Sequence, residues 1–192
     1  MNRTSTSRNK LLLFFVILIF IIGIFSGVVY YFKIDKELKD LVFDNFLSLL
    51  NDKNVLNINF YHLMLILFLS FTSFILIGFF ISFFALFYEG FSIGVILSAF
   101  AKEKMLRGII YGFIYILSSK LVFIFLLLIL IIISFKLFKL VINRRNNRET
   151  YYLNIYYCLK WIIVILIIAV FNELVLIPLF NKICCYFAFL IN

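Results

Sequence analysis

Residues 89–120 read Glu-Gly-Phe-Ser-Ile-Gly-Val-Ile-Leu-Ser-Ala-Phe-Ala-Lys-Glu-Lys-Met-Leu-Arg-Gly-Ile-Ile-Tyr-Gly-Phe-Ile-Tyr-Ile-Leu-Ser-Ser-Lys. Apolar runs with almost no charge flank this stretch on both sides. Against them it carries two small-residue pairs, Gly90/Gly94 and Gly108/Gly112, a charged turn at Lys102–Arg107 and an isolated Lys120. Which of its pieces cross a membrane decides the fold.

Working outward, the whole chain of 192 residues is 66% hydrophobic and 14% charged, with mean hydropathy +1.17. A soluble domain needs far more polar surface, so this is an integral membrane protein whose solvent is the lipid bilayer. The expected fold is an all-α, polytopic transmembrane helical bundle, one domain over residues 1–192, with no room for a soluble catalytic domain. The net charge of +9 sits beside the apolar runs, where Lys and Arg set topology and touch anionic headgroups, so it does not point to nucleic acid. Cys158, Cys184 and Cys185 have no metal-ligand spacing, and His62 is the chain's single histidine; the cysteines read as apolar filler. No nucleophile–base set, phosphate loop or metal cluster is visible, so no enzyme and no cofactor are expected.

Residues 1–10 are basic and precede an apolar run at 11–32. That run is long for a signal peptide and lacks a small-residue cleavage site, so it reads as a retained first span with a cytoplasmic N-terminus. Gly23 and Gly27 form a GxxxG pair on it. Residues 33–60 mix lysines with acidic residues, and apolar positions from Ile34 to Leu50 recur at helical spacing, which predicts an extracytoplasmic amphipathic helix followed by an Asn-rich loop at Asn51–Asn59. It is either a docking surface for an extracytoplasmic partner or a cover over the bundle edge.

About five spans are expected, at 11–32, 61–84, 85–101, 112–139 and 159–180. Phe91–Ala101 alone would make only about 16 Å of helix, against a core of about 30 Å. Charge decides that it crosses. Lys136, Lys139, Arg144, Arg145, Arg148 and Lys160 mark the last loop as cytoplasmic, and four crossings before it bring the chain back inside. Met105–Leu140 is too long for one straight span, at about 54 Å, so a break is expected at Ser118-Ser119-Lys120. Short or broken helices are thus placed around 89–120.

Glu89, Lys120 and Glu173 are the charges within or beside spans. Such side chains are costly at depth and face the protein interior, often paired. Matching depths predict a Lys120–Glu173 ion pair between the fourth and fifth spans, with local snorkelling as the plain alternative and ion or proton movement through Glu173 as a third. Six of the seven glycines fall in the pairs Gly23/Gly27, Gly90/Gly94 and Gly108/Gly112. They serve close packing inside the chain, or, for the first pair, a partner or second copy in a homo-oligomer.

Tyr88-Glu89-Gly90-Phe91-Ser92-Ile93-Gly94, then Arg107-Gly108 and Leu117-Ser118-Ser119-Lys120-Leu121, resemble the motifs of the stage II sporulation protein M family. Phe171-Asn172-Glu173 followed by Pro178 is similar to that family's final-span pattern, and the resemblance covers most of residues 11–182. The chain departs from the family at Ser118, Ser119 and Lys120, where a Pro-Gln-Asn-like sequence is usual. The resemblance implies a non-catalytic subunit of the bacterial cytoplasmic membrane. It also implies membrane or extracytoplasmic partners in a peptidoglycan-degrading complex, as in engulfment during sporulation. The leading expectation is a scaffold or localisation subunit of a cell-envelope complex. The alternative is the permease subunit of a small transporter or export system, with Val141–Tyr151 as its coupling segment.

Overall fold

The computed structural model describes residues 3–41, 61–73, 78–142 and 148–179. Apart from Ile34, Asp35, Ser73 and Lys120, all of these are helical, and none is in a strand. The all-α polytopic bundle follows from its solvent: without water at depth, each backbone N–H and C=O is satisfied within its own helix. The elements are α1 (Arg3–Lys33), α2 (described over 36–41), α3 (Tyr61–Thr72), α4 (Gly78–Ser119), α5 (Leu121–Ile142) and α6 (Arg148–Phe171). α6 runs on through a π-helical turn at Asn172–Leu176.

Among the described residues, four segments are long and apolar enough to cross a bilayer: Leu11–Lys33, Gly78–Lys102, Leu121–Leu140 and Tyr152–Leu179. α3 is apolar but has 12 residues, about 18 Å of helix. These four, with α3 as a shorter apolar helix, are consistent with the expected polytopic bundle of about five spans. The boundaries shift for a local reason. Gly90 does not break the chain; the helix that starts at Gly78 runs through Glu89–Gly90. Interruption comes earlier, after Thr72, where the backbone of Gly78 presses on the Thr72 carbonyl so closely that a Cβ would overlap it. Of the amphipathic helix expected after the first span, residues 36–41 are helical, and the rest, with the Asn-rich loop, lies outside the described residues. Lys39 bends back to donate to the Phe32 carbonyl at 3.2 Å, supplying a cation to the C-terminus of α1.

The chain divides into two compact units, Met1–Phe43 with Phe83–Gly112, and Asp44–Ser82 with Phe113–Asn192. In the first, Val16, Gly23, Gly27 and Tyr31 are buried and form one stripe of α1, since they recur at about helical period. The stripe meets α4 backbone to backbone. A Cβ on Gly23 would lie 3.3 Å from Gly90 Cα, and one on Gly90 would lie 2.6 Å from the Phe20 carbonyl. One turn further on, Gly27 meets the Phe91 carbonyl and Gly94 meets the Ile24 carbonyl. Contacts rise together in both sequences, so α1 and this arm of α4 are parallel.

Past Lys102, α4 turns. Met105 has φ of 49°, left-handed backbone that a right-handed helix cannot continue through and that costs a bulky residue about 1–2 kcal/mol. Gly112 lies against Phe100, whose Cδ2 would be 3.3 Å from an added Cβ, although a straight helix would separate residues 100 and 112 by about 18 Å. The helix thus folds back on itself at Met105, within the charged turn expected at Lys102–Arg107. By contrast, the expected break at Ser118–Lys120 is one residue wide. Helical hydrogen bonds persist across it, Lys120 N–H to the Ile116 carbonyl and Ile124 N–H to the Lys120 carbonyl, both at 2.9 Å.

The second unit packs α3, α5 and α6 against one another. His62 meets Phe123 ring to ring at 4.3 Å, and Ser73 hydrogen-bonds Ser134 at 2.6 Å. Eleven residues separate each pair of ends, so α3 and α5 run parallel and in register. Phe79 continues the seam, 5.6 Å from Phe138 and nearly stacked.

Candidate functional site

The features that a lipid-facing bundle does not require are its buried polar side chains. Most are serine hydroxyls, and apart from the Ser73–Ser134 bond the described ones are satisfied within their own helix. Ser26, Ser70, Ser82 and Ser98 donate to carbonyls three or four residues back at 2.7–2.8 Å, the usual way a serine hides its hydroxyl in a membrane helix. Ionisable groups cannot do this. Glu89 is fully buried in the first unit, while Lys120 and Glu173 are 8% and 3% exposed in the second.

Glu173 sits in the π-helical turn, and Pro178 explains that turn. Proline has no N–H and its ring collides with the carbonyl four residues back, here Leu174. Widening the helix over Asn172–Leu176, with Ile177 N–H reaching the Asn172 carbonyl, relieves the collision. The wide turn also lets two sequence neighbours, Asn172 and Glu173, both be buried, at 2% and 3% exposure. Single π-helical turns of this kind often occur at functional positions.

The Glu173 carboxylate takes a partner that charge counting overlooked. Its Oε1 lies 3.3 Å from His62 Nδ1, a contact that the expected Lys120–Glu173 pairing did not include. The two atoms are within ion-pair distance but off hydrogen-bond alignment, and Asn172 Oδ1 likewise has no hydrogen-bond partner among the described residues. His62 was missed for a reason of register. Depth arithmetic compared only long spans, whereas α3 is a short helix whose first turn places an imidazole between α5 and α6. His62 thus holds three helices at once: its own, α5 through Phe123 and α6 through Glu173. Sequence did offer one signal for it, the chain's single histidine at the start of an apolar run. Chemically, an imidazole and a carboxyl in contact can share one proton and leave the pair neutral overall, which lowers the cost of burying both.

The other motif residues are structural. Phe91 lies with its ring 5.2 Å from that of Tyr30 and its backbone against Gly27. Gly23, Gly27, Gly90 and Gly94 form one parallel contact, so the first-span pair is occupied within the chain. Gly112 packs in the α4 fold-back, and Gly108 is buried.

The family model for stage II sporulation protein M matches residues 16–176. The chain belongs to the stage II sporulation protein M family. Neither curated proteins nor solved structures yielded a match. The family's matched region contains both glycine pairs of the α1–α4 contact, the Met105 fold-back, His62 and Glu173, and ends just before Pro178. It is a multi-pass membrane protein of the sporulation class by family, and the bilayer is its environment.

Proposed function

We propose that this protein is a non-enzymatic scaffold of the bacterial cytoplasmic membrane that assembles or localises a cell-envelope complex containing peptidoglycan-degrading proteins. The observation that carries this reading is the family match over residues 16–176. Two features support it. The intramembrane ionisable groups are enclosed: Glu89 and Glu173 are 0% and 3% exposed, as expected of groups that hold helices together. The glycine contact of α1 is used inside the chain, which leaves residues 33–60 and the lipid-facing helix surfaces for partners. The basic residues around 136–160 support a cytoplasmic last loop and N-terminus.

The His62–Glu173 contact favours a second reading, a permease subunit, because intramembrane acid–imidazole pairs also serve proton relays. Crosslinked pull-down of the full chain from native membranes separates the two. Recovery of peptidoglycan hydrolases or their membrane anchors is expected. Recovery of an ATPase with no envelope protein would overturn the scaffold reading.

A further inference from the structure

Where the C-terminal turns of α5 lie beside the first turns of α6, the second unit has an open groove with room for about 450 Å³ that none of the motifs accounts for. Lys136 and Lys139 line it from α5, and Asn154, Tyr157 and Trp161 from α6. The lysines are three residues apart, so they project from one face with Cβ atoms about 5–6 Å apart. No carboxylate is among the lining residues. The floor is apolar, with Ile133 and Cys158 only 5% and 7% exposed, while the two lysines are exposed. Its rim carries two aromatics one turn apart, Tyr157 and Trp161, 58% and 56% exposed.

Depth fits the same chemistry. The candidate span of α5 ends at Leu140, so Lys136 lies about 6 Å inside that end, at the level where lysine stems run along apolar surface and ammonium groups reach headgroups. Exposed Tyr and Trp are the residues that anchor this layer. Two cations with no carboxylate among the described lining residues, an amide and a phenol able to donate hydrogen bonds, and aromatic walls make a receptor for a phosphate with an apolar or glycerol extension. Basic pockets between transmembrane helices recognise anionic lipid headgroups in this manner, and the volume falls within the range of ordinary ligand sites, about 300–1,000 Å³.

We propose that this groove is a binding site for a glycerophosphate group, held by Lys136 and Lys139, with an anionic phospholipid or a soluble glycerophosphate as its source. The site stands whether the protein is a scaffold or a permease, since it uses neither Glu173 nor residues 33–60.

Trp161 is the chain's single tryptophan and lines the groove, so its emission reports on lipid at this position, and headgroup preference separates the site from general lipid contact. The full chain in neutral detergent is titrated with phosphatidylglycerol carrying brominated acyl chains, and separately with brominated phosphatidylcholine. Saturable quenching is expected, with the anionic lipid half-effective at a concentration about tenfold lower or less. The paired change Lys136→Gln and Lys139→Gln erases that preference, while the paired change to Arg and the single change Lys160→Gln preserve it. Should the paired Gln variant fail to fold, each single Gln variant is expected to lose part of the preference. Glycerol phosphate that displaces the brominated lipid, with the same lysine dependence, identifies a soluble ligand; failure to displace it identifies the lipid. Equal quenching by both lipids, or a preference that survives loss of the lysines, overturns the proposal.

Discussion

The two units solve one problem by different means. Lipid tails are as apolar as leucine, so burying apolar side chains between helices gains little, and association depends on close packing and on polar contacts. The α1–α4 unit uses the first. Its described contact is backbone on backbone across Gly23, Gly27, Gly90 and Gly94, with carbonyls of one helix seated where the other has no Cβ. The α3–α5–α6 unit uses the second, placing His62 on Glu173 at one end of α3 and Ser73 on Ser134 at the other. The difference teaches that the same solvent permits either a steric or a polar lock. The steric lock tolerates no added atom; the polar lock tolerates change of shape but not loss of a partner.

That contrast can be broken most forcefully at the steric lock. Gly27→Leu puts a side chain where the Phe91 carbonyl already sits, and should cost about 3 kcal/mol or more through overpacking. Gly112→Ala, whose Cβ would meet only side-chain atoms at 3.3–3.4 Å, should cost about 1 kcal/mol or less. Thermal unfolding in detergent measures both, and equal midpoints for the two variants would mean that backbone contact does not hold the unit.

The polar lock should yield next. His62→Ala strands a carboxyl that is 3% exposed, at a cost of about 2 kcal/mol. Combined with Glu173→Ala in a double-mutant cycle, it should show a coupling of about 1 kcal/mol. A parallel cycle with Lys120→Met and Glu173→Gln sharpens the assignment, because a coupling near zero is expected there. If the Lys120 cycle gives the larger coupling, the partner assigned to Glu173 is wrong.

The smallest effect belongs to Ser134→Ala. Ser73 keeps its second bond, to the Leu69 carbonyl at 2.6 Å, so the loss should be about 0.6 kcal/mol, the average for interhelical hydrogen bonds in membranes. A loss as large as that of His62→Ala would place the main fastening of α3 at its C-terminal end.

Much of this was legible in the residues. A chain that is 66% hydrophobic can be only a membrane protein, and in lipid a chain without barrel patterning must be helical, because each backbone polar group needs an internal partner. The charged turn at Lys102–Arg107 was legible as well, since charges cluster where a chain leaves the apolar layer. So was the family, carried by short motifs at Glu89–Gly94 and Phe171–Pro178. Glycine spacing identified which residues pack closely, because only a missing side chain lets backbones touch.

Tertiary structure decided which glycine meets which, and in what direction. Spacing along one helix is periodic and cannot name a partner; only the approach of α1 to α4 shows a parallel contact that closes within the chain. It also decided that Glu173 meets His62. Pairing across helices depends on where the short α3 lies between α5 and α6, and a depth estimate from span lengths holds no such information. The stretch at 89–120 shows the division clearly. Composition marked Gly90, the turn and Lys120 as exceptional, but the helix runs through Gly90, folds at Met105 and barely pauses at Lys120, because packing against neighbours, and not local propensity, settles where a membrane helix bends.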